Sequence, residues 1–331
     1  MLPTVAELIL QAPQIAHLEP RLEAMGGVGA MYATLDTGRP RLLARLKDAG
    51  IASLTDRQAV ANALGRARRA GAPAARDERT EPARASIPSM VAPAPIEPAE
   101  RRAGPVRILC LHGTGTNSKV MRAQTGRLRS MLGSDFELSY LQGARPWTGG
   151  VPERFAKHGP YYAWYGVECL DPSDEREYIE RLSDPRVPFE YSAVDEAIAR
   201  VRSHIDATGP YDALLGFSAA AVLITMLTAD VIRGGGPRPT WRRNLLFSGM
   251  PPRDPRYSAW YRPPNPPLPF PATLVYGRAD EFYAYGLGLT SCYDSPVVFE
   301  HEEGHRFPSD REVNAGLREH LREALLTTDA Q

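Results

Sequence analysis

The sequence is short of cysteine, of net charge and of long hydrophobic runs, and each shortage narrows the range of functions. Three cysteines in 331 residues are an odd number and too few for a disulfide framework, so we expect free thiols in a reducing compartment. Lys and Arg total 39, as do Asp and Glu, which leaves no overall charge to attract nucleic acid or an acidic membrane. We therefore expect no nucleic-acid partner and no membrane partner.

The sequence also lacks the pattern of a leader or a membrane span. No Lys or Arg precedes Arg21, whereas a signal peptide has a basic start and a transit peptide an Arg-rich face. The longest uncharged run lies between Asp212 and Asp230 and includes Gly216 and Ser218. This run suits a buried strand, a turn and a helix better than a bilayer span of about 20 residues. We therefore expect a cytoplasmic protein without a transmembrane segment.

Residues 71–105 lack aromatic side chains and are dominated by Ala, Pro, Arg and Glu. Such a composition buries too little apolar surface to offset the entropy of ordering the backbone, so we predict a disordered linker. Before it, residues 1–70 are predicted to form a small α-helical module, in which Leu42 and Leu46 share one face of a helix. Residues 106–328 are predicted to form the main domain.

The N-terminal module has two functional interpretations. Its segment AGIASLTDRQAVANAL, residues 49–64, is similar to the C-terminal half of SAM-like helical interaction domains, which implies docking to a protein partner. Seven Arg or Lys residues against two Asp residues between Arg41 and Ala75 also fit a helix-turn-helix that binds nucleic acid. We favour docking to a protein.

After the linker, short strand-like runs alternate with stretches of helical periodicity. The runs are VRILCL, FELSYL, YDALLGF, RNLLFS, ATLVYG and PVVFE. This alternation is typical of βαβ units, so we predict an α/β fold with a mostly parallel sheet flanked by helices. Ser192 and Asp195 have the spacing of a capping box and are predicted to begin the central helix.

The segment YDALLGFSAAAVLITML, residues 211–227, joins a strand to an apolar helix. In a nucleophile elbow the serine stands on a tight, strained turn, and the residues two before and two after it must be small because strand and helix nearly touch. Gly216 and Ala220 meet this requirement on either side of Ser218. Ser218 is therefore the candidate nucleophile, although glycine is more usual in the fifth position and a plain small-residue turn is the alternative.

A second glycine-containing loop follows the strand VRILCL, at residues 112–115. In this type of fold such a loop offers a backbone N–H to a developing oxyanion, and the N–H of Ala219, at a helix start, is a second donor. We expect His112 to anchor the turn by hydrogen bonding. Nucleotide binding is not expected, because no Gly-Lys-Ser/Thr follows and Ser118 stands where a dinucleotide motif has its third glycine.

Two later strands lead to titratable residues. ATLVYG runs into a turn with Asp280, and PVVFE runs into a loop with His305. The order serine, aspartate, histidine is that of α/β-hydrolases, and the carboxyl ends of parallel strands meet at one edge of a sheet. We therefore predict a triad of Ser218, Asp280 and His305, with His305 as the base that Asp280 orients. Glu281 and His301 are the alternative carboxylate and base.

Taken together, these motifs resemble the FSH-type serine hydrolases of the α/β-hydrolase superfamily, which include small carboxylesterases and fungal polyketide thioesterases. The resemblance covers roughly residues 106–325 and is carried by LCLHGTGTNS, YYAWYG, GPYDALLGFSAAA, FSGMPPR, YGRADEF and EGHRFP. It implies the same triad, with an oxyanion hole at Thr114 and Ala219. The chain departs from the family pattern where Ala219-Ala220 replaces the usual Gln-Gly and Glu303-Gly304 the usual Gly-Gly.

The segment WTGGVPERFAKHGPYYAWY, residues 147–165, is rich in aromatic residues and glycine. The resemblance implies that this insertion lies over the active site. Trp164, Tyr161, Tyr162 and Tyr165 are then candidates to line an apolar acyl pocket, and ordinary lid or core packing is the alternative.

The predicted function is that of a serine hydrolase acting on a small-molecule acyl ester or thioester. The acyl-enzyme would form on Ser218, and we expect no metal and no cofactor. Two alternatives stay open at this point. One is acyl transfer by the same triad, and the other is a non-catalytic ligand-binding protein on a hydrolase scaffold.

Overall fold

The computed structural model describes residues 3–10, 12–36, 39–51, 56–57, 60–61, 63–64, 67, 104–151, 155–170, 176, 178–184, 186–234, 239–258, 260–261 and 265–326. The chain divides into two compact units between residues 91 and 92. Within the described ranges, no helix is both long enough and apolar enough to cross a bilayer. Nearly all of the predicted linker, residues 71–105, lies outside the described residues, so its disorder stays a prediction.

The N-terminal unit is helical, as predicted. Its described helices span Val5–Leu10, Glu19–Ala24, Gly27–Asp36 and Arg39–Asp48, with a 3₁₀ turn at Pro13–Leu18. Leu42 and Leu46 are fully buried in the core of this unit. The last of these helices ends at Asp48, and Gly50 follows it with a φ of +82°, a left-handed conformation that glycine adopts readily. Docking of this unit to a protein partner stays a prediction.

The C-terminal unit contains a six-stranded parallel sheet. In chain order the described strands are β1 (Val106–Leu111), β2 (Phe136–Leu141), β3 (Arg145–Pro146), β4 (Tyr162–Ala163), β5 (Gly166–Cys169), β6 (Phe189–Ser192), β7 (Ala213–Phe217), β8 (Arg243–Phe247), β9 (Ala272–Gly277) and β10 (Val297–His301). The sheet order is β10-β9-β8-β7-β1-β2, and every neighbouring pair is parallel. The predicted mostly parallel sheet is therefore confirmed.

Helices cover both faces of this sheet. They span Ser118–Gln124, Gly126–Leu132, Tyr178–Ser183, Val194–Thr208, Ala219–Arg233, Pro255–Ser258, Tyr283–Gly286 and Arg311–Leu326. Successive strand residues point to opposite faces, and in β7 Leu214 belongs to one hydrophobic core while Leu215 belongs to the other. The sheet is therefore the middle layer of three, as expected for a parallel sheet.

The capping box predicted at Ser192 and Asp195 was wrong. Strand β6 continues through Ser192, which pairs with Gly166 of β5, so Ser192 is part of a hairpin and does not cap the helix. The helix Val194–Thr208 begins instead after Ala193, which has a left-handed φ of 58° and makes no side-chain cap. The prediction used only the spacing of Ser192 and Asp195, and this spacing does not show that Ser192 belongs to a strand.

The segment between β2 and the helix Val194–Thr208 contains two small antiparallel hairpins. Strand β3 pairs with β4, and β5 pairs with β6. Tyr162 of β4 exchanges backbone hydrogen bonds with the loop after β1: its N–H donates to Thr116 O, and its carbonyl accepts from Gly115 N–H. We call the described residues of 145–192 the cover, because Tyr162 joins them to the loop at the carboxyl end of β1.

Candidate active site

Ser218 stands on a sharp turn between β7 and the helix Ala219–Arg233. Its backbone has φ 55° and ψ −121°, a strained conformation for a residue with a side chain. A Cβ atom on Gly216 would lie 2.7 Å from the Ala220 carbonyl carbon and from the Ala221 nitrogen, so only glycine fits there. The turn thus has the close strand-to-helix approach of a nucleophile elbow.

His305 and Asp280 form a hydrogen-bonded pair near this turn. His305 Nδ1 lies 2.8 Å from Asp280 Oδ2, and the side chains are 21% and 3% exposed, respectively. The other carboxylate oxygen accepts the Phe282 N–H at 2.9 Å. The imidazole packs between the Phe217 ring, 4.9 Å away between centroids, and the Phe282 ring, 5.2 Å away. Since Phe217 precedes Ser218, the ring of His305 is held beside the elbow.

The environment of Asp280 keeps its carboxyl group ionised. Burial alone would raise its pKa, but the hydrogen bonds from His305 and from the Phe282 N–H hold the pKa below its usual value. An ionised carboxylate only accepts hydrogen bonds, so His305 Nδ1 is the donor of the pair. The Nε2 atom of the neutral ring is then free to accept a proton.

The two alternative residues lie in different surroundings. His301 is fully buried in β10, its ring nitrogens have no hydrogen-bond partner among the described residues, and Glu303 Oε2 is 3.7 Å from its Nδ1. Glu281 is exposed and lines the same cavity as Ser218. Of the two histidines, only His305 has a ring at this cavity and a hydrogen bond to Asp280.

The loop after β1 is held by His112, which is completely buried. The Gly143 N–H donates to His112 Nε2 at 3.0 Å, so the proton of the neutral ring is on Nδ1. Nδ1 lies 2.8 Å from the Gly113 carbonyl, which also accepts from the Thr116 hydroxyl at 2.7 Å. Burial lowers the pKa of His112 to about 4, which keeps the ring neutral.

These bonds fix the direction of the next N–H. In a trans peptide the carbonyl and the following N–H point in opposite directions, so the anchored Gly113 carbonyl orients the N–H of Thr114. The loop lies against the elbow, because a Cβ on Gly113 would be 3.4 Å from Ser218 Cβ. His112 thus anchors the turn in this structure.

A cavity of about 610 Å³ brings together four of the predicted site residues, Thr114, Ser218, Ala219 and His305. The cover and the loops after β8 and β9 supply most of the rest of the lining, including the charged Arg253 and Glu281. Its larger apolar and aromatic members are Trp147, Val151, Tyr165, Val167, Ile179, Leu182, Tyr191, Val222, Met250, Phe282 and Tyr285. Its volume lies within the range of about 300–1,000 Å³ typical of small-molecule sites.

Three predicted pocket residues are not among those that line this cavity. Trp164 is buried, and its Nε1–H donates to the His112 carbonyl at 2.6 Å. Tyr161 donates its hydroxyl to the Phe155 carbonyl, and Tyr162 belongs to β4. Tyr165, the fourth candidate, does line the cavity. Tyr165 also donates its hydroxyl to the Ala219 carbonyl at 3.2 Å.

Comparison with known proteins identifies the family. The model of the serine hydrolase (FSH1) family matches residues 103–316. The chain belongs to the FSH1 serine hydrolase family. The esterase OVCA2 of Bos taurus is 30% identical over 219 residues, which are 62% of this chain and 90% of that protein. A dihydromonacolin L thioesterase of Aspergillus terreus is 32% identical over 125 residues, which are 37% of this chain and 46% of that protein.

Among solved structures, a carboxylesterase from Mesorhizobium loti is 18% identical and has a TM-score of 0.44. The match covers 65% of this chain and 88% of that one. As an FSH1-family member the chain is a serine hydrolase with the α/β-hydrolase fold, so the predicted family, fold and enzyme class are confirmed.

Sequence reasoning missed several side chains that line the site of this FSH1-family protein. Met250, Pro251 and Arg253 follow β8, and Tyr191 belongs to β6. For the first three a signal was available, because β8 is a predicted strand between those that lead to Ser218 and Asp280, and its carboxyl end must lie at the same edge. No local pattern pointed to Tyr191.

Proposed function

We propose that this hydrolase cleaves carboxylic esters or thioesters through an acyl-enzyme on Ser218, with His305 as general base and Asp280 as the group that orients it. The observation that carries the proposal is the His305–Asp280 hydrogen bond at the cavity that the Ser218 elbow also lines. This combination supplies a nucleophile, a base with a free nitrogen and an ionised carboxylate in one place.

The proposed reaction has two halves with the same proton path. Ser218 Oγ attacks the acyl carbon while its proton moves to His305 Nε2, and a tetrahedral oxyanion forms. The intermediate collapses, the bond to the alcohol or thiol breaks, and the leaving group takes the proton from His305. Water then attacks the acyl-enzyme, gives a proton to His305, and the acid leaves as Ser218 recovers its proton.

The proposed oxyanion hole consists of the N–H groups of Thr114 and Ala219. The anchored Gly113 carbonyl directs the Thr114 N–H away from His112, and Thr114 lines the cavity. Ala219 is the first residue of its helix, where N–H groups lack helical partners and the helix dipole favours negative charge. Two such donors stabilise the charge that develops on the carbonyl oxygen.

The mostly apolar cavity supports an acyl group as the part of the substrate that is bound. The relatives carry both kinds of leaving group in their names, since one is an esterase and another a thioesterase. We therefore propose both oxygen and sulfur esters as substrates. Because neither leaving group needs to be recognised for acylation, the same triad serves both.

Labelling with a fluorophosphonate probe tests this function. We expect the wild-type chain to be labelled and to hydrolyse p-nitrophenyl esters and acyl thioesters, and Ser218→Ala to lose both properties. The matched control is Ser203→Ala, at an exposed serine of the helix Val194–Thr208, which should be labelled like the wild type. Labelling that persists in Ser218→Ala would show that another residue is the nucleophile.

A further inference from the structure

A buried arginine outside the proposed triad stands at the boundary between the sheet and the cover. Arg253 lies in the loop after β8 and is 8% exposed. Among the described residues, no carboxylate lies within ion-pair distance of its guanidinium. A buried cation is costly unless its donors are satisfied, so the groups that it does contact indicate its role.

Arg253 donates its hydrogen bonds to backbone carbonyls of one short segment of the cover. Its Nη1 lies 2.6 Å from Asp184 O and 3.3 Å from Val187 O. Its Nη2 donates to Leu182 O. These carbonyls lie at and just beyond the C-terminal end of the helix Tyr178–Ser183, where carbonyls lack helical partners and carry partial negative charge. Arg253 therefore caps this helix from another part of the chain.

Aromatic rings hold the guanidinium in place. The Arg253 Cζ atom lies 4.3 Å from the centre of the Tyr285 ring and 4.7 Å from that of the Phe189 ring, distances at which a cation is attracted to a ring face. The Arg253 N–H also donates to the Tyr191 hydroxyl at 2.9 Å. Arg253 lines the cavity together with Tyr191 and Tyr285, so the arginine is the part of the cavity wall that is bonded to the capped helix.

The capped helix is short and depends on contacts with other groups: Leu182 packs against the hydrophobic core, Asp184 just beyond the helix pairs with Arg176 and Arg186, and Arg253 binds the carbonyls at its end. The helix is six residues long, and its Ile179 is 47% exposed even though it lines the cavity together with Leu182. So short a helix is not stable by itself, and it depends on contacts with other segments. Removal of the Arg253 cap should therefore displace this wall first.

We propose that Arg253 determines acyl-chain selectivity by holding Ile179 and Leu182 as the far wall of an apolar acyl site. This inference rests on the function proposed above. An acyl chain much longer than acetyl would extend from the elbow to this wall, whereas an acetyl group would contact the elbow alone. The substrate class is thus esters or thioesters of aliphatic acids with an extended chain.

The test compares p-nitrophenyl acetate with p-nitrophenyl octanoate in the full chain. In Arg253→Met we expect kcat/KM for the octanoate to fall by about tenfold or more, the size of a lost apolar contact or two, through a higher KM. The acetate should change by less than about twofold. Arg253→Lys keeps the charge but cannot reach several carbonyls at once, so it should recover only part of the octanoate activity.

Arg318→Met is the control, because this arginine is exposed on the helix Arg311–Leu326 and is not among the residues that line the cavity. It should leave both esters unchanged. If Arg253→Met folds poorly, Leu182→Ser tests the same wall and should show the same selective loss. Equal losses for both esters, or no loss for either, would overturn the proposal. If Ser218→Ala hydrolyses acetate as well as the wild type does, the proposed function itself is wrong.

Discussion

The carboxyl edge of the sheet and the cover are held in different ways. At the edge, each strand end is fixed by its neighbour: the Ser218 N–H donates to the Phe247 carbonyl at 2.9 Å, and the Ser248 N–H to the Val275 carbonyl at 2.8 Å. The positions of the proposed catalytic groups are therefore fixed by the hydrogen-bonded pairing of the strands. This edge is a rigid frame made mostly of backbone.

The cover is held partly by the backbone hydrogen bonds of Tyr162 to the loop after β1 and otherwise by individual side chains. Its strands β3 and β4 have two residues each, and Asn117 ties it down through the carbonyls of His158 and Pro160. Arg253 does the same for the helix Tyr178–Ser183. The contrast indicates that changes at the edge should affect the chemical step, whereas changes in the cover should affect which acyl group is bound.

The largest expected effect is at the edge. Asp280→Asn keeps the shape of the side chain but removes the charge that fixes the tautomer of His305, so we expect kcat to fall by about 10³–10⁴-fold with little change in KM. Steady-state kinetics on p-nitrophenyl acetate measure this. Glu281→Gln, at the exposed neighbour, is the control and should retain most of the activity. If the Glu281 variant is the impaired one, the carboxylate has been assigned wrongly.

A smaller effect on kcat is expected from a change in the loop after β1, also at the carboxyl edge. His112→Leu removes one of the two donors to the Gly113 carbonyl and leaves only the Thr116 hydroxyl, which loosens the Thr114 peptide, and we expect kcat to fall by about 10²-fold. His112→Asn retains a side-chain donor and should recover much of this loss. The affinity for a boronic acid that mimics the tetrahedral intermediate should fall in parallel with kcat, while KM stays constant. An unchanged affinity for the mimic would remove His112 from this role.

The C-terminal unit should also be sensitive to acid. His320, in the helix Arg311–Leu326, lies 2.9 Å from the Thr273 hydroxyl near the start of β9. Burial lowers the pKa of His112 and of His320 to about 4, so between pH 6.5 and 4 the unfolded chain binds protons that the folded chain does not. Stability must therefore fall as the pH falls through this window, by roughly 3 kcal/mol per histidine at its lower end. Urea unfolding followed by tryptophan fluorescence at several pH values measures this. His320→Gln should reduce this slope, and an unchanged slope would contradict the assignment.

The sequence predicted the residues at the carboxyl edge better than those of the cover, because strand patterns determine the edge whereas single side-chain contacts determine much of the cover. Runs rich in Val, Leu and Phe identify strands, and a residue that follows such a run must lie at the carboxyl edge, so Ser218, Asp280 and His305 could be placed together. In the cover, the choice between Trp164 and Tyr165 depends on the direction of single side chains. The contact of Arg253 with Asp184 joins residues 69 positions apart, and no local pattern encodes it.

The smallest effect on activity is expected from the hydrogen bond between the Tyr165 hydroxyl, in the cover, and the Ala219 carbonyl, at the elbow. Tyr165→Phe removes its donation to the Ala219 carbonyl, a neutral bond with a net value of about 1 kcal/mol. We expect a change of about fivefold in the KM for p-nitrophenyl octanoate, since the ring that lines the cavity shifts while the backbone of the elbow stays in place. Tyr211→Phe, at a buried tyrosine before β7, removes a hydroxyl far from the cavity and should leave KM unchanged. A large fall in kcat for Tyr165→Phe would mean that the cover takes part in positioning the nucleophile, and the division between edge and cover would no longer hold.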